Sequence, residues 1–466
     1  MKLTEGQREA LERAQKGESF KVVAMAGAGK TTTLRAIAEA LPGPILYLAF
    51  NSSVAREART KFPNNTVVST LHSLAFRNFL KDRPEMLLKF EERAGVILVK
   101  DIMEYLDLPQ ELYGIPRFGL ASAVKATLER FLTSAEPAPT PNMVPGTLLS
   151  LVEEKRKPKL TAAVLGFTQA AWEAMRNPGH PMPLSHEGYV RLWAEAGAPG
   201  LDRFRTVLVD EAQDLSPSLL NPLLAYYQKG GQIIAVGDPN QAIYGWRGAV
   251  DALTRLPGEE VYLPESFRFG PEVAGYAQAI LEAKGWRGPA LKGLGGPSKV
   301  VQGVGLPRAG TAWLYRTNAG VVKMAAELAA KGYGIEVVGG LEATARLIEA
   351  GVELIEGKRP KHPELAVFKD YREFWQAAEI DPNLKSLRNL LDRYGKRCLD
   401  LVQEAQKGTK KKRVDYILST THKAKGLEWD SVLLGDDYPD SDAGEELNLR
   451  YVAATRARKV LDVRHW

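Results

Sequence analysis

Short apolar runs, each about five residues long and nearly uninterrupted, recur along the chain. Residues 20–25 read FKVVAM, 44–50 PILYLAF, 65–70 NTVVST, 204–210 FRTVLVD and 232–238 QIIAVGD. EVYLPE (260–265), AWLYR (312–316), IEVVGG (335–340), RVDYILST (413–420) and DSVLLGD (430–436) continue the series. Runs of this length without polar alternation predict strands buried on both faces, as in a parallel sheet. Helix-compatible stretches such as GVVKMAAELAAKG lie between some of them. The alternation predicts an α/β architecture, with ligands at the carboxyl ends of the strands.

Two stretches break that rhythm. One is mainly helical in pattern, with a Pro-rich interruption, AEPAPTPNMVPG; the other is helical and charged, and ends in QKGTKKKR. The predicted division is a first α/β domain from 1–80 and 204–262, with a helical insertion at 81–203. A second α/β domain follows from 263–340 and 413–466, with a short insertion at 341–412. No internal repeat is evident in the sequence.

The first run leads into a turn of small residues, Ala24-Met25-Ala26-Gly27-Ala28-Gly29-Lys30-Thr31, and then a helical pattern. A strand, a glycine-bearing turn and a helix N-terminus form a cradle for phosphate. Backbone N–H groups point at the anion, a lysine reaches the β- and γ-phosphates, and a hydroxyl ligates Mg²⁺. Ala26, Gly27, Ala28, Gly29, Lys30, Thr31 and Thr32 are therefore candidate nucleotide contacts, although Ala24 stands where the pattern usually has glycine. The run FRTVLVD ends in Asp210-Glu211. Paired carboxylates there divide the work: Asp210 with Thr31 holds the metal, while Glu211 orients and deprotonates water. Downstream, GDPNQAIYGWRGA sets Gln241 before Tyr244, Trp246 and Arg247. Aromatics among Gly, Asn and Arg, rather than in an apolar period, suggest exposed faces on which bases stack, the alternative being core packing.

The collinear order LTEGQ, AGAGKT, LAFNSSVAREA, STLHS, VDEAQD, GDPNQAIYGWRGA, ESFRF, STTHKAKGLEWDSVLL and LRYVAATRARK resembles the superfamily 1 helicases of the UvrD/Rep/PcrA group. The resemblance runs from Leu3 to Lys459 and implies two RecA-like P-loop NTPase domains with ATP and Mg²⁺ between them. It implies that Gln7 reads the adenine edge and Phe267 stacks on the ring. Gln241, Arg268 and Arg456 would converge on the γ-phosphate, with Glu428 near the ribose. Phe50, Tyr244 and Trp246 would stack on single-stranded bases; Thr70, His72, Arg247, His422 and Lys425 would line the strand path or couple it to the ATP site.

There are departures. Phe267 replaces a tyrosine, Asn51-Ser52-Ser53 replaces Thr-Asn-Lys, Thr32 stands where arginine is common, and Leu71 replaces an aromatic. The second insertion is much shorter than in that group, and the chain stops soon after TRARK, so no nuclease domain or long tail is expected. The resemblance implies 3′-to-5′ movement on single-stranded DNA and at single-strand/duplex junctions, by a monomer or a DNA-induced oligomer. The expected activity is ATP-driven translocation with unwinding. The alternatives are a translocase that strips proteins and unwinds little, and a non-catalytic nucleic-acid-binding module. RNA stays open, because stacking platforms do not read the 2′-hydroxyl.

Composition changes this picture only slightly. With 45% hydrophobic and 25% charged residues the chain is globular in type, and a net charge of +6 mildly favours a polyanionic partner. The single cysteine, Cys398, excludes an internal disulfide and a multi-cysteine zinc site. The charged N-terminus and the lack of a long apolar run predict neither signal peptide nor membrane span, hence a cytoplasmic location. His180, His186 and His362 show no metal-ligand spacing, and Lys410-Lys411-Lys412-Arg413 reads as a solvated connector.

Overall fold

The computed structural model describes residues 3–215, 217–245, 252–441 and 443–466. Its first sheet comprises β1 (Phe20–Ala24), β2 (Ile45–Ala49), β3 (Thr66–Thr70), β4 (Thr206–Val209), β5 (Gln232–Gly237) and β6 (Glu260–Leu263). They lie in the order β3-β2-β4-β5-β1-β6, and every pairing is parallel. The second sheet comprises β7 (Lys299–Val301), β8 (Ala312–Tyr315), β9 (Ile335–Val337), β10 (Tyr416–Thr420), β11 (Trp429–Leu434) and β12 (Ala457–Asp462). Its order is β7-β12-β11-β8-β10-β9, again all parallel. The expected α/β architecture of two parallel sheets is what the chain adopts.

The apolar runs are uninterrupted because both faces of each sheet are covered. Leu46, Leu48, Val207, Val209, Ile233 and Ala235 enter one core, while Ile45, Tyr47, Leu208, Ile234 and Val236 enter the core on the opposite face. All ten apolar runs become strands. Two strands of these six-stranded sheets carry no comparable run. β7 is three residues long at a sheet edge, and β12 reads ARKVLD, its Arg458 and Lys459 both engaging Asp430. Charge on short or edge positions hides a strand from an apolar-run criterion.

Between β3 and β4 the chain forms helices Pro84–Glu91, Val99–Tyr105, Arg117–Thr133, Lys157–Arg176 and His186–Glu195, with a short antiparallel ladder between Glu111–Leu112 and Ile115–Pro116. Phe131, Trp172 and Trp193 share one core with the sheet residues Leu46 and Val207, so this helical stretch packs directly on the first sheet. The buried Arg191 guanidinium donates to the carbonyls of Phe131, Ser134 and Glu136, which fixes the start of the Pro-rich loop. Between β9 and β10, helices Glu342–Ile355, Tyr371–Ile380, Pro382–Tyr394 and Cys398–Thr409 pack with helix Asn318–Ala330 against the second sheet. The two helical stretches touch where Phe118 meets Phe368 edge-on, with ring centroids 4.3 Å apart.

Parallel pairing places all strand carboxyl ends of a sheet along one edge. The two sheets meet through those edges. Met25 and Ala26 pack with Leu434 and Tyr451, Ile243 packs with Leu449 and Val452, and Asn448 Nδ2 donates to the Ala242 carbonyl at 2.7 Å. No helix among the described residues is long and apolar enough to cross a membrane.

Candidate active site

The turn after β1 has the backbone that a phosphate cradle needs. Gly27 and Gly29 sit at φ +77° and +79°. A Cβ on Gly27 would lie 2.5 Å from Ser266 Oγ and 2.7 Å from Arg268 Cβ, so only glycine lets these segments approach. Ala24 ends β1 fully buried and without positive φ, so nothing demands glycine there. Helix Lys30–Ala40 starts from Gly29 with no side-chain cap, leaving its first N–H groups for a ligand. Thr31 is exposed on the first turn, and Thr32 is half-buried beside it. Ala26 and Ala28 are buried. Gln7 is buried: its Nε2 donates to Thr33 Oγ1 at 3.2 Å while Oε1 accepts from the Thr4 N–H. Gln7 thus braces the cradle through Thr33, which in turn donates to the Gly29 carbonyl.

Asp210 and Glu211 follow β4 and face Lys30. Lys30 Nζ donates to Glu211 Oε1 at 2.5 Å, and Tyr47 donates its hydroxyl to Asp210 Oδ2 at 2.5 Å. Burial, reinforced by the Glu211 charge, raises the Asp210 carboxyl above its ordinary value. Burial would also raise Glu211, but Lys30 and then Lys425 overcome it and hold that carboxyl low. Lys30 remains firmly protonated, because Glu211 and Asp210 outweigh its own burial. Glu211 has φ +51°, a left-handed conformation that costs a non-glycine residue about 1–2 kcal/mol. Gln213 donates to Glu211 Oε2, and its Oε1 accepts from the Asp238 N–H at 3.1 Å, tying the strained residue to the next strand end.

The second lobe brings two arginines to this edge. Arg456 is 1% exposed, and its guanidinium meets only neutral oxygens: the carbonyls of Val452 and Leu427, Thr455 Oγ1, and Gln241 Oε1 at 3.4 Å. Burial first, then the nearby Arg268 charge, lower its pKa to about 9. Arg268 Nε is paired with Glu428 Oε2 at 2.6 Å, and Phe267 is half-exposed beside it. Gln241, Arg268, Glu428 and Arg456 therefore converge with Lys30, Asp210 and Glu211.

Four residues outside the sequence reading hold this arrangement. Asp238 is fully buried, with its carboxyl raised by burial; it accepts from Gln241 Nε2 at 2.8 Å and from the Tyr451 hydroxyl at 3.2 Å. Tyr451, on helix Gly444–Ala454 of the second lobe, also accepts from the Ala26 N–H of the cradle at 3.2 Å. Asp214 pairs with Lys425 across the lobes, beside Gln213. In the sequence, Asp238 carried a usable signal, since it ends a buried strand just as Asp210 does. Tyr451 and Asp214 carried none, because their partners come from the opposite lobe.

The strand-side residues form a second group. The rings of Phe50 and Tyr244 stack with centroids 5.6 Å apart, Tyr244 lies 6.0 Å from the His422 ring, and Lys425 Nζ is 5.3 Å from the Tyr244 centroid. Phe50 is 39% exposed and Tyr244 is half-buried, packed partly on the Ile243 cluster. Trp246 and Arg247 lie outside the described residues. Thr70 ends β3 and caps helix Leu71–Ala75; Thr420 ends β10 and caps helix Thr421–Ala424 in the same way. Ser69 and Ser419 each donate to the next carbonyl, at 2.8 and 2.9 Å. Ser-Thr-Leu-His and Ser-Thr-Thr-His are thus a four-residue structural repeat, one per sheet. His72 Nε2 lies 3.2 Å from Glu187 Oε1, away from the Phe50–Tyr244 pair in its contacts.

These residues fit a polyphosphate with a divalent cation. A buried guanidinium without a carboxylate partner, a glycine cradle with its lysine, a buried aspartate near that lysine and an exposed threonine hydroxyl on the first helical turn are complementary to that charge pattern. Among the described residues no group of three or more His, Cys, Asp and Glu is placed to hold a metal ion by itself, so a cation here would need the phosphate oxygens as further ligands.

Comparison with known proteins agrees. A family model described as the UvrD/REP helicase N-terminal domain matches residues 3–255, and the UvrD-like helicase C-terminal domain matches 416–462. Similar proteins include F-box DNA helicase protein 1 of Schizosaccharomyces pombe, 31% identical over 96% of this chain and 55% of its own length. F-box DNA helicase 1 of Gallus gallus is 29% identical over 99% of this chain and 49% of its own length. ATP-dependent DNA helicase UvrD2 of Mycobacterium tuberculosis is 26% identical over 65% and 54%. The chain spans about half the length of the curated relatives it matches.

Two predictions follow from the cross-lobe pair. Burial pushes the Asp214 carboxyl up to about 6 despite Lys425. A folded pKa above the unfolded one adds stability that is fully present below about pH 4 and lost as pH rises through about 6. The stability of the wild type minus that of Asp214→Asn should therefore fall between pH 4 and pH 7, measured by urea unfolding; a flat difference would exclude this environment for Asp214. Lys425→Met leaves that carboxylate buried and unpaired and should cost about 3–5 kcal/mol. Adding Asp214→Asn should recover much of the loss, whereas simple additivity of the two losses would show that the pair does not interact.

Proposed function

The chain belongs to the UvrD/REP helicase family, and from that premise we propose that it is an ATP- and Mg²⁺-dependent translocase on single-stranded DNA that unwinds duplex DNA in the 3′-to-5′ sense. The observation that carries the catalytic reading is Arg456: a second-lobe guanidinium 1% exposed, with only neutral hydrogen-bond partners, that reaches Gln241 Oε1 of the first lobe at 3.4 Å and lies near enough to feel the Glu211 charge. We divide the chain accordingly into two RecA-like domains, an ATP-binding one at 1–80 with 204–262 and a second at 263–340 with 413–466, carrying helical insertions at 81–203 and 341–412.

In this reading the Gly27–Thr31 turn binds the β- and γ-phosphates. Lys30 leaves Glu211 for the phosphate oxygens, which frees Glu211 to orient water and accept its proton. Thr31 and Asp210 would hold Mg²⁺, which would supply positive charge beside the phosphate oxygens. Asp210, pushed up by burial, gains its ionised form when a cation sits beside it. Arg268 and Arg456 stabilise the equatorial charge, and an arginine in that role is worth roughly 10³- to 10⁵-fold. Gln241 spans the two halves, bonded to Asp238 through Nε2 and to Arg456 through Oε1. Phe267 offers its exposed ring to the base, and Gln7 sets the cradle on which that base sits.

Triphosphate in the cleft draws the lobes together, and its hydrolysis lets them part. Phe50 and Tyr244 of the first lobe, with His422 and Lys425 of the second, then grip and release bases in alternation. Lys425 Nζ, 5.9 Å and 5.3 Å from the Phe50 and Tyr244 centroids, adds cation–π attraction beneath both rings.

Glu211→Gln should bind ATP normally yet hydrolyse it at least about 100-fold more slowly in single-turnover assays, the scale of general-base loss. A loss of only a few-fold would remove Glu211 as the base. Phe50→Ala should weaken binding of a fluorescent oligo(dT) by about 1–3 kcal/mol, read by anisotropy at fixed salt. Unaltered affinity would mean that the Phe50–Tyr244 stack is packing rather than a platform.

A further inference from the structure

Outside the cleft, a cavity of about 370 Å³ opens between the lobes. Its walls include Pro239, Asn240 and Tyr262 from the first lobe and Lys284, Trp286 and Arg287 from the second. None of the cradle residues, the Asp210–Glu211 pair or the Phe50–Tyr244 stack lines it. Val261 and Leu263 face the core beneath helix Glu5–Gln15, so the alternation of β6 sends Tyr262 to the opposite face of the sheet.

The cavity is polar in a particular way. Asn240 is 1% exposed, and its Nδ2 has no hydrogen-bond partner, a deficit that usually costs about 1–3 kcal/mol. Its Oδ1 accepts from Lys284 Nζ at 2.9 Å, so the amide orientation leaves the two donor hydrogens unused. Arg287 is exposed and enters no ion pair among the described residues. The indole of Trp286 is pinned: Nε1 donates to the Pro289 carbonyl at 3.0 Å, and a Cβ on Gly288 would come within 2.2 Å of Cζ2. The carboxylate close by, Glu260, already accepts from the Tyr262 hydroxyl and lies 3.8 Å from Lys21 Nζ. Lys284 Nζ also reaches the Pro239 carbonyl at 3.4 Å, so the exposed Arg287 guanidinium and the Lys284 ammonium bring positive charge to the pocket, and two rings flank them.

We propose that this pocket binds a nucleoside monophosphate unit, free or as part of a single strand. Its phosphate meets Lys284 and Arg287, with Asn240 positioning the Lys284 ammonium from behind, and its base lies against Trp286 or Tyr262. A cavity of this size sits within the range that encloses small ligands. Because its walls come from both lobes, an occupant bridges them, and any bias toward the closed arrangement is shared reciprocally with whatever else closes the lobes. The site stands on its own residues and does not depend on the catalytic reading.

The test is isothermal titration of deoxycytidine monophosphate into the full chain, Lys30→Ala and Arg287→Ala. Binding should persist in Lys30→Ala and weaken about tenfold in Arg287→Ala, the scale of losing one charge-assisted contact. The reverse pattern would assign the ligand to the cradle, and absence of binding at millimolar concentration would likewise overturn the proposal. Inorganic phosphate that competes as tightly as the nucleotide would show that the rings take no part, which also overturns it. A parallel titration with oligo(dT) identifies the source: weakening by Arg287→Ala of both ligands supports a nucleotide of the strand, and weakening of the mononucleotide alone supports a free one.

Discussion

A buried guanidinium with no carboxylate in contact sets the terms for this molecule. Arg456 is held by carbonyls, a hydroxyl and one amide oxygen, with Arg268 near enough to depress its proton affinity further. Keeping a cation in such surroundings costs several kcal/mol unless an anion arrives. The neighbouring groups show the same temporary arrangement. Lys30 rests on Glu211, and Arg268 rests on Glu428. Each cation occupies an internal carboxylate or a neutral stand-in at the place where a polyphosphate would satisfy all three. The resting contacts and the proposed catalytic contacts therefore compete for the same atoms, which is how ligand charge can bias the lobe arrangement.

The same edge explains how strand binding could reach the chemistry. Lys425 lies under Phe50 and Tyr244, pairs with Asp214 and donates to the Gln241 carbonyl at 2.8 Å. Gln213, next to Asp214, bonds both Glu211 and the Asp238 backbone. From ring to proposed base the path is a run of buried polar contacts in which each partner has few alternatives. Glu211 at its end already carries backbone strain. A shift of Lys425 alters the charge that holds the Glu211 carboxyl low, so the link is electrostatic as well as geometric.

Sequence reading found what is local. The cradle, the Asp210–Glu211 pair and the ten apolar runs are each contained in about a dozen residues, and their chemistry is set by spacing along one strand and turn. It missed β7 and β12, whose apolar content is diluted by short length or by Arg458 and Lys459. It passed over Asp238, whose place at a strand end was legible, and it missed Tyr451 and the Asp214–Lys425 pair, where each partner is ordinary alone and meaning comes from a contact roughly two hundred or more positions away. Phe50 and Tyr244 were placed together by resemblance, and the stack between them became visible only in three dimensions. The Ser-Thr-x-His repeat escaped notice because four residues are too few to stand out until both copies are seen ending a strand and capping a helix.

That repeat raises a question about asymmetry: two similar sheets, yet one phosphate cradle. The second lobe also has a strand that runs into a helix, β8 into Asn318–Ala330, with the positive end of the helix facing the turn. There the position is filled by the protein itself. Asp437 accepts from the N–H groups of Arg316 and Thr317 at 2.7 and 2.9 Å and from Thr317 Oγ1 at 2.7 Å. A Cβ on Gly320 would meet that carboxylate at 2.5 Å. The carboxyl is raised by its burial, opposed by those same hydrogen bonds. In the first lobe the helix starts at a positive-φ glycine, with Lys30 and Thr31 in place of an internal anion. Helix N-termini attract negative charge wherever they occur, so a nucleotide-binding end differs from a structural one mainly in whether the chain supplies its own carboxylate. One lobe is sealed that way and the other is left open, an asymmetry that accords with the proposed division in which the second lobe supplies arginines to a ligand held by the first.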